Sequence, residues 1–313
     1  MSKDPQTKAS ENLVRNGVAI VGCGLMGSAY ATRLAALGVP VTVFNRTREK
    51  AEALAKEKTQ ITVARSLEEC AKRDVILFAC SPTLEAVTSL VGDLRSKGRI
   101  EGKTLLFILD AGHDVARYID EQAFASGGAR CTAFVAMFGS AFDVIKGAGG
   151  YMNVSGFARS PAALQGDVAP LLDLFGESTY HEGSATIAST FAMAGHVAFL
   201  PIVYAQMHYH AMMERGGVDP KASLAYFQLL GRVLGEGYAP LLQGAYAARD
   251  YSLFIASHRT VADILRAVTA TSHEMRIDAR LSTLMTRYHE AALEDPRVAN
   301  AAFTSAYELI APR

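Results

Sequence analysis

Three glycines, Gly22, Gly24 and Gly27, follow the apolar run Gly17 to Val21 in the spacing G-x-G-x-x-G, with Leu25 and Met26 between the last two. Glycine at the first place permits a tight turn. At the second it lets a ligand approach the backbone, and at the third it lets a helix pack closely on a strand. A helix that begins there aims free N–H groups and the positive end of its dipole at an anion. The chemistry is capture of a dinucleotide pyrophosphate, and the strand before and helix after give this short pattern its meaning. About twenty residues on, where an NAD site places Asp or Glu for the ribose hydroxyls, stand Asn45, Arg46 and Thr47, with Lys50 one turn later. A carboxylate there repels a 2′-phosphate, whereas a guanidinium, a hydroxyl and an ammonium hold one. The expected cofactor is NADPH. A merely solvated basic helix start is the weaker explanation, because cations oppose the dipole at a helix N-terminus.

Positioning these residues requires strands and helices in alternation. Gly17 to Val21 and Val39 to Phe44 read as buried strands on either side of a helix from Ser28 to Leu37. Further strands are expected at Ile61 to Val63, Asp74 to Ala79 and Thr104 to Leu109. Helices are expected near Leu67 to Lys72, Thr83 to Leu94 and Asp114 to Phe124. That alternation means a parallel, doubly wound sheet, a Rossmann domain in an α/β protein. The pattern changes after about residue 155. From Ser184 the chain reads as helix after helix, punctuated at Gly216-Gly217, Asp219-Pro220, Gly235 to Gly237 and Asp295-Pro296. The expected organisation is a loose tail over 1–16, an NADPH-binding Rossmann domain over 17–183, and a long interdomain helix opening an all-α domain over 184–313.

Composition narrows the function class. The 313 residues suit two domains, and half are apolar. Thirty-one basic residues balance 31 acidic ones, so no global field draws nucleic acid or an anionic membrane. Cys23, Cys70, Cys80 and Cys131 have neither zinc-site nor disulfide-framework spacing, which points to reduced thiols in a cytoplasm. The first sixteen residues are polar, unlike a secretory signal. Ala185 to Met207 carries no formal charge apart from His196 and is long enough to span a bilayer. It is rich in Ala, Ser and Thr, contains Pro201 and lacks a flanking basic cluster, so a helix buried in a large domain or a dimer is the preferred reading.

The segment VGCGLMGSAYATRLAALGVPVTVFNRTREKA resembles the N-terminal signature of the β-hydroxyacid dehydrogenase superfamily, which includes NADPH-dependent imine reductases and reductive aminases. Asp74 to Pro82 (DVILFACSP) is similar to the family's fourth strand and its loop toward the nicotinamide, which implies cofactor contacts from Cys80, Ser81 and Pro82. Gly183 to Ser189 (GSATIAS) resembles the start of its interdomain helix. The likeness implies a homodimer with exchanged helices and an active site in the cleft between domains. It also shows departures. The hydroxyacid dehydrogenases carry a lysine in a pattern resembling G-S-G-x-x-x-K, and Ser189 stands in its place, with no lysine between Lys146 and Lys221. Their D-x-S-T signature is here Asp110, Ala111, Gly112, His113. Imine reductases also lack the lysine, although Ser189 is not their usual replacement.

Chemistry agrees with the departure. A ketone needs its oxygen protonated as hydride arrives, hence a Lys or His acid nearby. An imine is basic enough to arrive protonated, and a lysine beside the iminium would repel it. The catalytic candidates are Ser189; His196, two turns on along the same face; and Tyr246 and Tyr251, whose phenols can hydrogen-bond an amine. Each has a structural alternative: helix crossing for Ser189, a satisfied buried histidine for His196, interface packing for the tyrosines. No metal is expected, since His208 and His210 lie on different helix faces. The leading function is NADPH-dependent reduction of a small, cyclic imine or iminium. The alternatives are a β-hydroxyacid or semialdehyde reductase with a displaced acid, and a non-catalytic NADPH-binding assembly protein.

Overall fold

A computed structural model describes residues 16–96, 100–125, 129–147, 150–156, 160–252 and 256–311. The expected tail over 1–16 lies almost wholly outside them. By its internal contacts the chain divides into two compact units, Met1–Val197 and Ala198–Arg313.

The first unit is built on one eight-stranded sheet: β1 (Val18–Val21), β2 (Val41–Phe44), β3 (Ile61–Val63), β4 (Val75–Phe78), β5 (Thr104–Ile108), β6 (Cys131–Phe138), β7 (Tyr151–Ser155) and β8 (Glu177–Tyr180). The spatial order is β3-β2-β1-β4-β5-β6-β7-β8. Strands β1 to β6 are parallel, β7 runs antiparallel to β6, and β8 is parallel to β7. The parallel part has the doubly wound order of a dinucleotide-binding fold. Successive residues of its strands point to opposite faces. Val18, Ile20, Leu77 and Leu106 enter one core cluster, while Ala19, Val21, Ile76 and Phe107 enter the other. Cover on both faces is why these strands read as unbroken apolar runs.

Helices α1 (Leu25–Ala36), α2 (Arg48–Glu57), α3 (Leu67–Cys70), α4 (Leu84–Ser96), α5 (His113–Ala125), α6 (Ala141–Lys146) and α7 (Pro161–Leu172) complete the winding. Helix α1 starts earlier than the expected Ser28, because Gly24 is its N-cap and the Gly24 carbonyl accepts from Ser28 N at 2.9 Å. Helix α8 (Ala185–Arg215) has 31 residues. Its Ala185, Ala188 and Ala192 belong to the second core cluster, so the unit division falls inside the helix and not at its start near 183. Among the described residues it is the one helix long and apolar enough to cross a membrane. The burial of its first turns in the sheet's core removes them from any such span.

The second unit contains α9 (Pro220–Arg232), α10 (Ala239–Ala248), α11 (His258–Glu274), α12 (Arg280–Glu294) and α13 (Tyr307–Ile310). Gly217 at φ +70° ends α8, and the Asp219 carboxylate accepts from Lys221 N and Ala222 N to start α9. Gly235 and Gly237 do not reverse the chain as expected. They sit in a π-helical stretch, Val233–Tyr238, that joins α9 to α10. Helix α11 begins at His258, where the Ser257 hydroxyl accepts from Thr260 N at 3.1 Å.

Helices α11 and α12 bury a histidine pair. His258 Nδ1 lies 3.1 Å from His289 Nδ1, and His258 Nε2 lies 2.9 Å from the Ser305 hydroxyl. One imidazole nitrogen must donate and the other accept, so the contact requires a neutral ring. Burial, with the neighbouring His289 as a second cause, pushes the pKa of His258 down, and burial does the same to His289. Bases whose folded pKa is depressed leave the unfolded chain to take up the proton first. Stability is therefore complete above the ordinary histidine pKa of about 6.5 and is lost as pH falls through it. The melting temperature is expected to drop between about pH 7.5 and pH 5.5, and the drop should shrink in His289→Asn. An equal drop in both proteins contradicts this origin.

Candidate functional site

The carboxyl ends of β1, β2 and β4 open into a cavity of about 770 Å³, within the range of small-molecule and cofactor sites. Its wall brings together Gly22, Gly24, Leu25 and Met26 from the loop after β1, Asn45, Arg46, Thr47 and Lys50 from the end of β2 and the start of α2, and Cys80 and Ser81 after β4. Gly27 and Pro82, also expected at the cofactor, are not on the wall.

The glycines divide the work. Gly22 has φ +108°, and a Cβ there would collide with the Ala79 carbonyl of the neighbouring strand end. A Cβ on Gly27 would collide with the Gly22 carbonyl, so Gly27 acts from behind the loop by seating α1 on β1. Gly24 has open space where a Cβ would be, the requirement for a ligand lying against the backbone. Asn45 braces this loop. Its Oδ1 accepts from Cys23 N at 2.9 Å and its Nδ2 donates to the Thr47 carbonyl at 2.8 Å, tying the glycine turn to the start of α2.

Arg46 and Lys50 have no ion-pair partner among the described residues, and Thr47 makes no side-chain capping bond although it is the N-cap of α2. Three groups able to hold a phosphate thus line one side of the cavity, with the Glu85 carboxylate on the wall opposite. The Cys80 thiol is pushed up to about 11 by burial, so it stays protonated at neutral pH and is no nucleophile. Sequence reasoning missed the opposite wall, Thr83, Glu85 and Ala86 at the start of α4 and Ser89 and Leu90 one turn on. The signal was available, since the helix after β4 in a doubly wound sheet borders the same crevice.

Beside this cavity, the end of β5 meets α8. Ser189 is fully buried and its hydroxyl donates to the Ala111 carbonyl at 2.7 Å. A serine has one proton to give, and here the backbone takes it. The candidate proton donor is thus placed as an anchor of the helix. His196 lies on the same side of α8. Its Nδ1 contacts the Ala192 carbonyl at 2.8 Å, its Nε2 is 3.7 Å from Asp110 Oδ2, and its ring centroid is 5.4 Å from that of Phe138. Burial pushes the Asp110 carboxyl above the ordinary carboxylate range, against the opposing pull of His196. In the sequence Asp110 stands out only as the first residue of the altered D-x-S-T pattern.

Tyr246 and Tyr251 belong to the second unit. The Tyr246 ring stacks on Tyr307 at 4.8 Å. The Tyr251 hydroxyl donates to Glu308 Oε1 at 2.6 Å, and the same oxygen pairs with the Arg249 guanidinium at 2.7 Å. Burial, reinforced by Glu308, pushes the Tyr251 phenol up to about 12. It is held in a local network that ties Arg249 and Tyr251 to Glu308 of α13.

Residues 17–127 match the family model described as the NAD binding domain of 6-phosphogluconate dehydrogenase. No curated protein sequence matches the chain. Among solved structures the chain is similar to a reductive aminase from Aspergillus terreus in complex with NADPH and ethyl levulinate, at 22% identity and a TM-score of 0.77, covering 94% of this chain and 98% of that one. It is similar to an imine reductase from Myxococcus stipitatus in complex with NADP+ (18% identity, TM-score 0.78, covering 94% and 99%). It also resembles an imine reductase from Streptomyces aurantiacus (16%, TM-score 0.82, covering 94% and 99%). The chain thus has the fold of these enzymes along nearly its whole length, with an NAD(P)-binding domain at its start.

The anchoring role of Ser189 sets an expectation. Ser189→Ala leaves the Ala111 carbonyl without its donor, a loss of about 1 to 3 kcal/mol in denaturant unfolding. Ser189→Lys forces an unpaired ammonium into the core and should lower stability by about 3 kcal/mol or more. A lysine variant as stable as the parent contradicts this placement.

Proposed function

We propose that the protein is an NADPH-dependent oxidoreductase that reduces the C=N bond of a small cyclic imine or iminium. The observation that carries this reading is the character of α8 at the end of β5. From Ala185 to Met213 the helix has no formally charged residue, and its anchor is the neutral Ser189. Carbonyl reduction builds negative charge on oxygen and needs a cation or acid beside it. Iminium reduction instead discharges a cation, and the carboxylate of Asp110 with no lysine nearby favours that cation.

In this reading the turn Gly22 to Gly27 and the N-terminus of α1 hold the pyrophosphate, while Arg46, Thr47 and Lys50 hold the 2′-phosphate. Cys80, Ser81 and Pro82 lead to the nicotinamide end. The bound reduced nicotinamide supplies a hydride to the electrophilic carbon. The chain's own residues orient the dinucleotide, exclude cationic side chains from the helix wall, and leave Asp110 and His196 at the neighbouring strand end. That last pair is also what favours a second reading, reduction of a semialdehyde with histidine as the displaced acid.

The reading includes a homodimer. Val197, Phe199, Leu200, Ile202, Tyr204 and Met207 of α8 are all exposed in the single chain. So continuous an apolar surface calls for a partner, and a second copy exchanging this helix supplies one under two-fold symmetry. The four free cysteines suit a reducing, cytoplasmic setting. Sedimentation at micromolar concentration should give a dimer, and a stable monomer removes that part of the proposal.

Two assays test the activity. NADPH oxidation should be faster with a cyclic imine than with a semialdehyde, and the reverse order sinks the imine reading. Arg46→Ala should weaken NADPH binding by roughly one to two orders of magnitude, since a charge-assisted contact contributes about 1.5 to 3 kcal/mol. NADH binding should hardly change; equal weakening of both dinucleotides contradicts the 2′-phosphate assignment.

A further inference from the structure

Asp110 and His196 stand at ion-pair distance, so a proton on either group acts on the other. A backbone carbonyl only accepts, so the contact with Ala192 at 2.8 Å fixes the proton of His196 on Nδ1. Nε2 is thereby turned to Asp110 Oδ2 at 3.7 Å, an ion-pair distance. With no proton shared, a nitrogen lone pair would face a carboxylate; one proton gives an imidazolium paired with an anion or a neutral ring facing a carboxylic acid. The packing keeps the ring there. A Cβ on Gly195 would collide with the Phe138 ring, so glycine at this place lets that ring lie against α8 and flank the imidazole.

The pair stands beside the cofactor cavity. Strands β4 and β5 pair in parallel with Phe78 level with Phe107, so the loop after β5 that carries Asp110 leaves the same carboxyl edge of the sheet as the loop after β4 that carries Ser81, on the cavity wall. Ligands of open α/β sheets bind outside these carboxyl ends. The side chains of His196 and Asp110 keep 36% and 49% of their exposure, enough to reach a ligand and exchange protons with water. Other titratable groups nearby are committed. Tyr30 of α1, whose phenol feels the charge of Asp110, is buried and donates to Met137 Sδ at 3.0 Å. His113 of α5 is hydrogen-bonded to Thr190 at 2.9 Å. Among charged groups, His196 is the one that acts on the Asp110 carboxyl.

We propose that Asp110 and His196 act together as the acid of the site, passing a proton from His196 Nε2 to the substrate's imine nitrogen; this inference rests on the imine reading above. The Nε2–H bond breaks as the new N–H bond forms. The pair is left one unit more negative and faces the iminium it has made. Water returns a proton to the pair after reduction.

The test compares a protonatable cyclic imine with its N-methylated iminium, which needs no proton. For the imine, His196→Asn and Asp110→Asn should each lower kcat/KM by roughly a hundredfold or more at a pH where the free imine is unprotonated. The wild-type pH profile should flatten in both variants. For the N-methylated iminium the loss should be far smaller. Equal losses on both substrates, or none on either, overturn the pair as acid. A second readout needs no turnover: the Asp110 carboxyl, followed by carbon-13 NMR in the dinucleotide-free protein, should titrate at higher pH in His196→Asn than in wild type, because a cationic neighbour is gone. An unchanged titration overturns the coupling. Wild-type protein inert toward both substrates, with the carboxyl titration moving as expected, retracts the imine reading and leaves the pair standing.

Discussion

The first turns of α8 are pinned to the sheet and to α5 by buried hydrogen bonds, and the chemistry available at the end of β5 follows from that seating. The Asp120 carboxylate accepts from Ala185 N at 2.9 Å, the Ser155 hydroxyl links the Ser184 carbonyl to Ala188 N, and Ser189 reaches the Ala111 carbonyl. Each satisfies a backbone group that burial would otherwise leave unpaired at a cost of about 1 to 3 kcal/mol. A helix held this way has no space for a long cationic side chain at Ser189. Because it cannot slide, it also delivers residues two turns later, Gly195 and His196, to Phe138 and Asp110.

The dinucleotide cavity depends on a similar economy of space. Gly22 and Gly27 set their backbones against the Ala79 and Gly22 carbonyls where no Cβ fits, and Asn45 carries the alignment on to the start of α2. In the proposed reading the pyrophosphate and 2′-phosphate sites are thus two ends of one braced turn. A change at Asn45 is felt at both, which separates it from Arg46 and Lys50, whose charges act at one end only.

Much of the first unit was legible because each element carried its own signal. Apolar runs without alternation announced strands β1, β2, β4 and β5, covered on both faces, and the glycine spacing announced the loop between β1 and α1. Strand β8 (ESTY) gave no such signal, since a short polar edge strand looks like a loop until its partner is known. Gly235 and Gly237 misled because glycine marks a turn in most contexts, whereas here the helix widens and continues. The site divided in the same way. The proposed phosphate-binding residues are close in sequence to the motif that implies them, but the role of Ser189 was decided by a carbonyl 78 positions away and the partner of His196 by a strand end, and neither separation leaves a local trace.

The fate of the hydride tests the account most directly. NADPH carrying deuterium at the transferable position of nicotinamide C4, incubated with the protein and a cyclic imine, should yield an amine with one deuterium on the former imine carbon, seen by mass spectrometry and proton NMR. Unlabelled amine, or label found only in an alcohol when a semialdehyde is supplied alongside, would contradict it.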